Sequence, residues 1–544
     1  MDLDEYLPPR DLWPDLLIPE PFRDLPDELN LTDELLDRHL RKGRGDRAAI
    51  FFENRKMTYR EIAEDANRFG NSLLDAGIRP RDRIGIRMTN LPEAIIANFA
   101  ILKIGAVPVP MSPLWSKKEI VYATHDAGLR AILVNRSLMG EVQKCEQDLS
   151  SIRAFIIVDD ISPDGDGFKD RQYGFNELVV SGKKDLRPFR LKGNDIAILL
   201  YTSGTTGPPK GCAHTLHGTL ILSRLVTKYI WDLKEGDVLA GSAPISFAAG
   251  FGTFALIPWT SPGAISLLQK FSPEALMENI ARHRVTMLTG IPTAYRKLLE
   301  VDHFQDYDLR PLRLCTVGGD ALGAETFDAW MDKTGLPIWE NYASTELFNT
   351  QVSNRIGQEP KKGSIGLPIP GIKVKVLDES GNPCPPGKIG TLYVKGPTGI
   401  IYWNPNGHNG RLMSAQRAGV KGGWNIAGDA VYQDEEGYLF FVAREDDMIK
   451  SSGYRVSPKE IEDALNGHPS IKEAAVVGVP DRIMGQAVKA FLVVEEGVAV
   501  GNEFEEEIKE YCKRNMALYK TPRMFQFVSQ LPKTPTGKIM KNKL

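Results

Sequence analysis

Residues 201–211 read Tyr-Thr-Ser-Gly-Thr-Thr-Gly-Pro-Pro-Lys-Gly, with three glycines, four aliphatic hydroxyls, two prolines and one lysine. They follow the apolar run Ile196-Ala197-Ile198-Leu199-Leu200. A glycine-rich turn after a buried strand can aim several backbone N–H groups at an anion, and hydroxyls add further donors. The chemistry this favours is the holding of a phosphate chain. The spacing departs from the common nucleotide loop G-x-x-x-x-G-K-[ST]. After Gly204 and four more residues come Pro209 and Lys210, and Gly211 stands where a hydroxyl would be needed. A Walker-type kinase or ATPase is therefore disfavoured. His214 and His217 have no further Cys, His or carboxylate set near them in sequence, so they read as flanks of the loop rather than as metal ligands.

The elements that must position this loop are spread along a chain of 544 residues, long enough to need two or more cores. Hydrophobic content of 42% and charged content of 25% are those of a globular protein, and a net charge of −3 gives no footprint for nucleic acid. The first residues are acidic and Pro-rich without an apolar core behind a basic start, which argues against a secretory signal. Five scattered cysteines without C-x-x-C spacing read as reduced thiols of a cytosolic protein. Residues 238–269 carry no charge, but Pro244, Pro258, Pro262 and four glycines interrupt them. Buried strands and turns around a pocket are expected there rather than a membrane helix.

Thr58 and Glu61 form a capping box ahead of Ile62, Ala63, Ala66 and Phe69. Arg83–Met88 reads as a strand, Glu93–Lys103 as an apolar helix and Gly105–Pro110 as the next strand. The pattern recurs at Ala131–Val134, Ala154–Val158 and Val285–Thr289, which predicts parallel α/β architecture. After about residue 363 short strands broken by Gly and Pro predict a small β-barrel or sandwich. Ser457, Pro458 and Glu460 are an N-cap, a proline at the first helical position and a glutamate at the third, ahead of a further α+β unit.

The glycine-rich loop closely resembles the phosphate loop of the adenylate-forming superfamily of acyl- and aryl-CoA ligases, peptide-synthetase adenylation domains and luciferases. Further motifs follow in order over nearly the whole chain. Tyr342-Ala343-Ser344-Thr345-Glu346 matches Y-G-x-T-E with alanine for glycine, and Ala427-Gly428-Asp429 matches T-G-D with alanine for threonine. Arg444–Val456 matches the hinge motif, and Pro532–Lys538 the C-terminal lysine loop. The resemblance implies an α/β fold. Its large N-terminal domain (1–444) has two α/β subdomains and a small β-barrel; a hinge (445–447) leads to a mobile α+β C-terminal domain (448–544).

The same resemblance implies ATP, Mg²⁺ and coenzyme A as cofactors, and a carboxylate that becomes an acyl-adenylate and then a thioester. Thr202, Ser203, Gly204, Thr205, Thr206, Gly207 and Lys210 would cradle the β- and γ-phosphates. Thr345 would donate to the α-phosphate and Glu346 would hold the metal. Asp429 would accept from the ribose hydroxyls with help from Arg444. Gly319, Asp320, Ala321, Asn341, Tyr342, Ala343 and Ser344 belong to the elements about the adenine and AMP. Lys538 would bridge carboxylate and α-phosphate in the transition state. Asp446 is the hinge, and Lys450, Ser451, Ser452, Gly453 and Tyr454 would face the pantetheine arm.

Leu7–Pro14, Leu29-Asn30, Glu34–Asp37 and Ile291–Tyr295 look like the corresponding segments of 2-aminobenzoate-, benzoate- and indoleacetate-CoA ligases. The acyl pocket would be walled by Phe247, Ala248, Ala249, Phe251, Gly318, Asn349 and Thr350. Benzoate ligases tend to carry tyrosine at the Ala249 position and histidine then isoleucine at Asn349 and Thr350. The smaller Ala249 and the polar Asn349 favour a substituted or bicyclic aryl acid. A medium-chain acyl-CoA synthetase, a standalone adenylation domain that loads a carrier protein, and a non-enzymatic nucleotide-binding protein are the competing readings. A cytoplasmic location, small-molecule carboxylate substrates, no nucleic-acid or membrane partner and a homodimer as one open assembly complete the expectations.

Overall fold

The computed structural model describes residues 3–159, 171–202, 209–320, 322–354, 359–404, 407, 411–444, 447–451, 454–481, 485–516, 520–534 and 538–544. Two compact units emerge. One holds Met1–Thr202, Pro208–Val374 and Val394–Asn425; the other holds Lys375–Tyr393 and Ile426–Leu544.

The first unit contains two parallel sheets, as the strand–helix alternation predicts. Five strands run in the order Val107–Pro110, Arg83–Arg87, Leu129–Asn135, Ala154–Val158, Gln172–Gly174, every pair parallel. The helices Tyr59–Asp75 and Pro92–Lys103 pack on one another beside this sheet. Thr58 and Glu61 complete the expected capping box. Pro92–Lys103 is almost wholly buried, in keeping with its apolar sequence all round.

The larger sheet has nine strands. Its parallel centre runs Ile338–Ala343, Leu314–Gly318, Met287–Gly290, Val238–Gly241, Ala264–Leu267, Ala48–Phe52, with antiparallel strands on both edges. The uncharged stretch after Val238 contributes two of these strands and, between them, helical turns at Ala248–Gly250, Phe251–Leu256 and Pro258–Thr260. Its apolar side chains fill a core. No helix among the described residues is long and apolar enough to cross a membrane.

The second unit opens with antiparallel strands, among them Gly390–Lys395, Trp424–Gln433 and Leu439–Arg444. It continues into an α+β body. There Ile471–Asp481 and Gly485–Val494 pair antiparallel, Met524–Phe527 adds in parallel, and the helices Pro458–Asn466 and Asn502–Asn515 cover one face. The Ser457 side chain accepts from the Glu460 N–H, so this helix begins where its capping residues dictate.

Candidate functional site

In the first unit the strands that flank the glycine-rich loop pair antiparallel. Ile196–Tyr201 pairs with Gly211–Thr215 in a register that sets Tyr201 opposite Gly211. One further rung closes the mouth: the Thr202 N–H donates to the Lys210 carbonyl at 3.0 Å, and the Lys210 N–H donates to Thr202 Oγ1 at 3.1 Å. Ser203, Gly204, Thr205, Thr206 and Gly207 lie outside the described residues. Lys210 Nζ stands 5.1 Å from the centre of the Tyr402 ring, near enough for a cation–π contact. Gly211 lets the chain at Trp403 approach closely: a Cβ there would sit 2.9 Å from the Trp403 Cβ. The Trp403 N–H donates to the Gly211 carbonyl at 2.8 Å, so residues 401–403 run along the strand Gly211–Thr215.

That strand also reaches the Thr345-Glu346 turn. His214 is buried, and its Nε2 lies 3.0 Å from the Thr345 carbonyl oxygen. A carbonyl only accepts, so Nε2 carries the proton. Burial pushes the His214 pKa down to about 4, so the ring is neutral. Its Nδ1 is buried with no hydrogen-bond partner among the described residues. Two residues earlier, burial and the field of the Glu346 carboxylate push the Cys212 thiol well above its usual range.

Gly318 ends one parallel strand and pairs in register with Asn341 of the next, so both stand at carboxyl ends of the parallel sheet. In open α/β sheets that is where ligands bind. Gly319 has φ +89°, which glycine adopts without strain, and Asp320 beside it is exposed. Ala321 lies outside the described residues. Tyr342 is buried, Ala343 is half-buried, and Ser353 Oγ holds the Asn341 side-chain oxygen. Ser344 Oγ accepts from the Leu347 N–H at 3.2 Å, which shapes the turn carrying the half-buried Thr345 and Glu346.

The expected acyl-pocket residues divide. Phe247 is half-buried and Ala249 exposed, while Ala248, Asn349 and Thr350 are buried and Phe251 is fully enclosed in the core. Asn349 Oδ1 accepts from the Thr350 N–H at 2.8 Å and its hydroxyl at 3.1 Å. The Asn349 amide nitrogen lies over Gly252, 2.3 Å from where a Cβ would stand, so that glycine leaves room for it.

The second unit carries the remaining residues. Asp429 and Arg444 are register partners in neighbouring strands, with Arg444 Nε 3.2 Å from Asp429 Oδ1. The aspartate side chain is 4% exposed and the arginine 47%, so a buried carboxylate is held by a half-exposed guanidinium. Asp446, Ser452 and Gly453 lie outside the described residues. Lys450, Ser451 and Tyr454 fall on the strands Ile449–Ser451 and Tyr454–Val456, with Ser451 opposite Tyr454. Lys538 is exposed, and the segments 532–534 and 538–540 pair antiparallel: the Met540 N–H donates to Pro532 O at 2.8 Å, and the Thr534 N–H to Lys538 O at 2.7 Å.

A model of the AMP-binding enzyme family matches residues 36–401, and one of the AMP-binding enzyme C-terminal domain matches residues 460–538. The chain belongs to the AMP-binding enzyme family. This AMP-binding enzyme is 32% identical to the mitochondrial acyl-coenzyme A synthetase ACSM3 of Rattus norvegicus, over 90% of this chain and 84% of that protein. It is 31% identical to the benzoate–CoA ligase of Thauera aromatica, over 96% of each. Among solved structures, the anthranilate CoA ligase AuaEII in complex with anthranoyl-AMP superposes with a TM-score of 0.87 at 31% identity, covering 96% of this chain and 97% of that one. The expected fold class and the expected activity, an AMP-forming acyl- or aryl-CoA ligase using ATP, Mg²⁺ and coenzyme A, are borne out at the level of the family.

The residues fit the metal this activity implies. Among the described residues no group of three His, Cys, Asp or Glu could cage an ion. The half-buried Glu346 carboxylate, completed by phosphate oxygens and water, suits Mg²⁺, which is rarely held by an all-protein cage. The link between His214 and the Thr345 turn had no signal in the sequence, because 131 residues separate the two.

Proposed function

We propose that this AMP-binding enzyme activates an aromatic carboxylic acid of the substituted benzoate, 2-aminobenzoate or indoleacetate type. The carrying observation is the single hydrogen-bonded span from the strands of the phosphate loop through His214 to the Thr345-Glu346 turn. It gives one rigid frame to the groups that would flank a nucleotide's phosphates. An aryl acid is supported by the likeness to an anthranilate and a benzoate CoA ligase, and by the small Ala249.

A carboxylate is a poor electrophile. In the first step its oxygen attacks the α-phosphorus of ATP in line and pyrophosphate leaves, giving a mixed anhydride. Thr202 through Gly207 and Lys210 would hold the β- and γ-phosphates, and Thr345 would donate to the α-phosphate. Lys538 would neutralise charge between carboxylate and phosphate. Glu346 would hold Mg²⁺, which would supply charge neutralisation at the leaving pyrophosphate. Asp429, pre-set by Arg444, would accept from the ribose hydroxyls. Gly319, Asp320, Ala321, Asn341, Tyr342, Ala343 and Ser344 would enclose the base and AMP. In the second step the coenzyme A thiol attacks the acyl carbonyl and AMP leaves. Domain rotation at Asp446, between residues 1–444 and 448–544, would withdraw Lys538 and present Lys450 to Tyr454 to the pantetheine arm.

Phe247, Ala248, Ala249, Phe251, Gly318, Asn349 and Thr350 would form or back the acyl pocket. The reading also takes the enzyme to be cytoplasmic. A panel of carboxylates assayed with ATP, Mg²⁺ and coenzyme A tests the assignment: turnover should be higher with aminobenzoate or indoleacetate than with acetate. A preference for acetate or propionate overturns the aryl reading, and some promiscuity is expected because discrimination per methylene is weak.

A further inference from the structure

The C-terminal lysine segment is tied to its unit by a shielded carboxylate. Glu462 sits on the helix Pro458–Asn466, and its side chain is only 12% exposed. Its Oε1 accepts from the Val476 N–H at 2.7 Å and lies 2.7 Å from Lys541 Nζ. Val476 belongs to Ile471–Asp481, whose ladder partner among the described residues is Gly485–Val494 alone, so this strand forms a sheet edge. An edge N–H facing inward needs an acceptor, and Glu462 supplies it. The same oxygen then holds the ammonium of Lys541, three residues beyond Lys538.

The described segments on either side of residues 535–537 are bonded to one another. Met540 N–H donates to Pro532 O, Thr534 N–H to Lys538 O, and Lys538 N–H to Thr534 Oγ1 at 3.1 Å. On their inner side Leu531, Ile539 and Leu544 pack against Ala475 and Phe491. A second ion pair, Lys533 to Glu473 at 2.8 Å, is 43% and 31% exposed and therefore contributes little. Of the two charged ties, the Glu462 pair is the shielded one.

We infer that Glu462 is a positioning residue for adenylation: through Lys541 it fixes the segment that presents Lys538. The inference rests on the adenylation role proposed above for Lys538. It goes beyond that role in assigning a function to a carboxylate that touches no substrate. Burial holds the Glu462 carboxyl above its usual range, while Lys541 and the Val476 N–H act in the opposite sense. Glutamine at this position keeps an oxygen for the Val476 N–H and loses only the charge that grips Lys541.

The test measures both half-reactions in the full-length enzyme, as pyrophosphate release and as thioester formed from supplied acyl-adenylate. Glu462→Gln should lower the adenylation kcat about tenfold, with KM for ATP and acid within about twofold and thioester formation unchanged. Lys541→Arg, which keeps the charge and leaves the acceptor for the Val476 N–H in place, should keep most of the adenylation rate, and Lys541→Gln should lose it as Glu462→Gln does. Thermal unfolding of each variant shows whether the unit stays folded. Equal loss of both half-reactions, or no loss in either, overturns the inference. Lys538→Ala separates the two levels. If it leaves adenylation intact, the role of Lys538 falls and the positioning role with it; if it abolishes adenylation while Glu462→Gln does nothing, only the positioning role falls.

Discussion

His214 Nε2 meets the Thr345 carbonyl oxygen at 3.0 Å across two segments that are far apart in sequence. The same carbonyl also accepts from the Phe348 N–H at 3.2 Å, so removing the histidine takes away one of two hydrogen bonds, a loss of about 0.5–1.5 kcal/mol. His214→Leu should therefore lower pyrophosphate release about threefold to tenfold, and His214→Gln, which can place an N–H near the same point, should restore most of it. Equal activity of the leucine variant and the wild type would count against the frame.

The same histidine gives a pH signature. Its folded pKa is lowered to about 4 from an ordinary 6.5, so the folded state prefers the neutral ring. The stability it contributes is complete above pH 6.5 and is lost as pH falls towards 4. His39, buried against the Trp259 carbonyl with a pKa also pushed down to about 4, adds to the same decline. Thermal midpoints measured between pH 7 and 4 should fall in this window, and less steeply in His214→Gln.

Asp429 and Arg444 should behave unequally on mutation. Asp429→Ala removes a buried acceptor and should raise KM for ATP at least tenfold, measured by pyrophosphate exchange. Arg444→Ala leaves the buried carboxylate without this guanidinium, so it should lower both ATP affinity and the thermal midpoint. An Asp429→Ala enzyme with normal ATP affinity would remove the ribose role.

Lys538→Ala should abolish adenylation while thioester formation from supplied acyl-adenylate stays within about threefold. A parallel loss of both steps would contradict a role confined to the first.

Asp446→Pro would restrict the backbone torsion that the proposed hinge uses. Adenylate should still form, and its conversion to thioester should stop. Unchanged overall turnover would refute the hinge.

What the sequence made legible was local. The capping box at Thr58 and Glu61, and the N-cap at Ser457, depend on residues three apart, and both formed. The strand–helix alternation from Arg83 to Val158 gave a parallel sheet because each apolar run is too buried to be anything else. What stayed hidden was long-range. Nothing near Gly211 signals that residues 401–403 will lie against it, nor that Ala264–Leu267 will slot between strands beginning at Val238 and Ala48. The glycine loop was readable as an anion cradle, but its place between antiparallel strands rather than before a helix is a tertiary fact. Phe251, expected as a wall of the acyl pocket, is fully buried, as a residue that backs a pocket can be.

An enzyme that makes activated acyl groups endangers its own sulfur. Cys212, one residue past the loop's closing glycine, is sealed from solvent and kept as the neutral thiol by its surroundings and by the neighbouring carboxylate. A thiolate is the nucleophile and a buried thiol is not. Cys212 therefore presents no thiolate to an acyl-adenylate, and the sulfur that is acylated comes from coenzyme A.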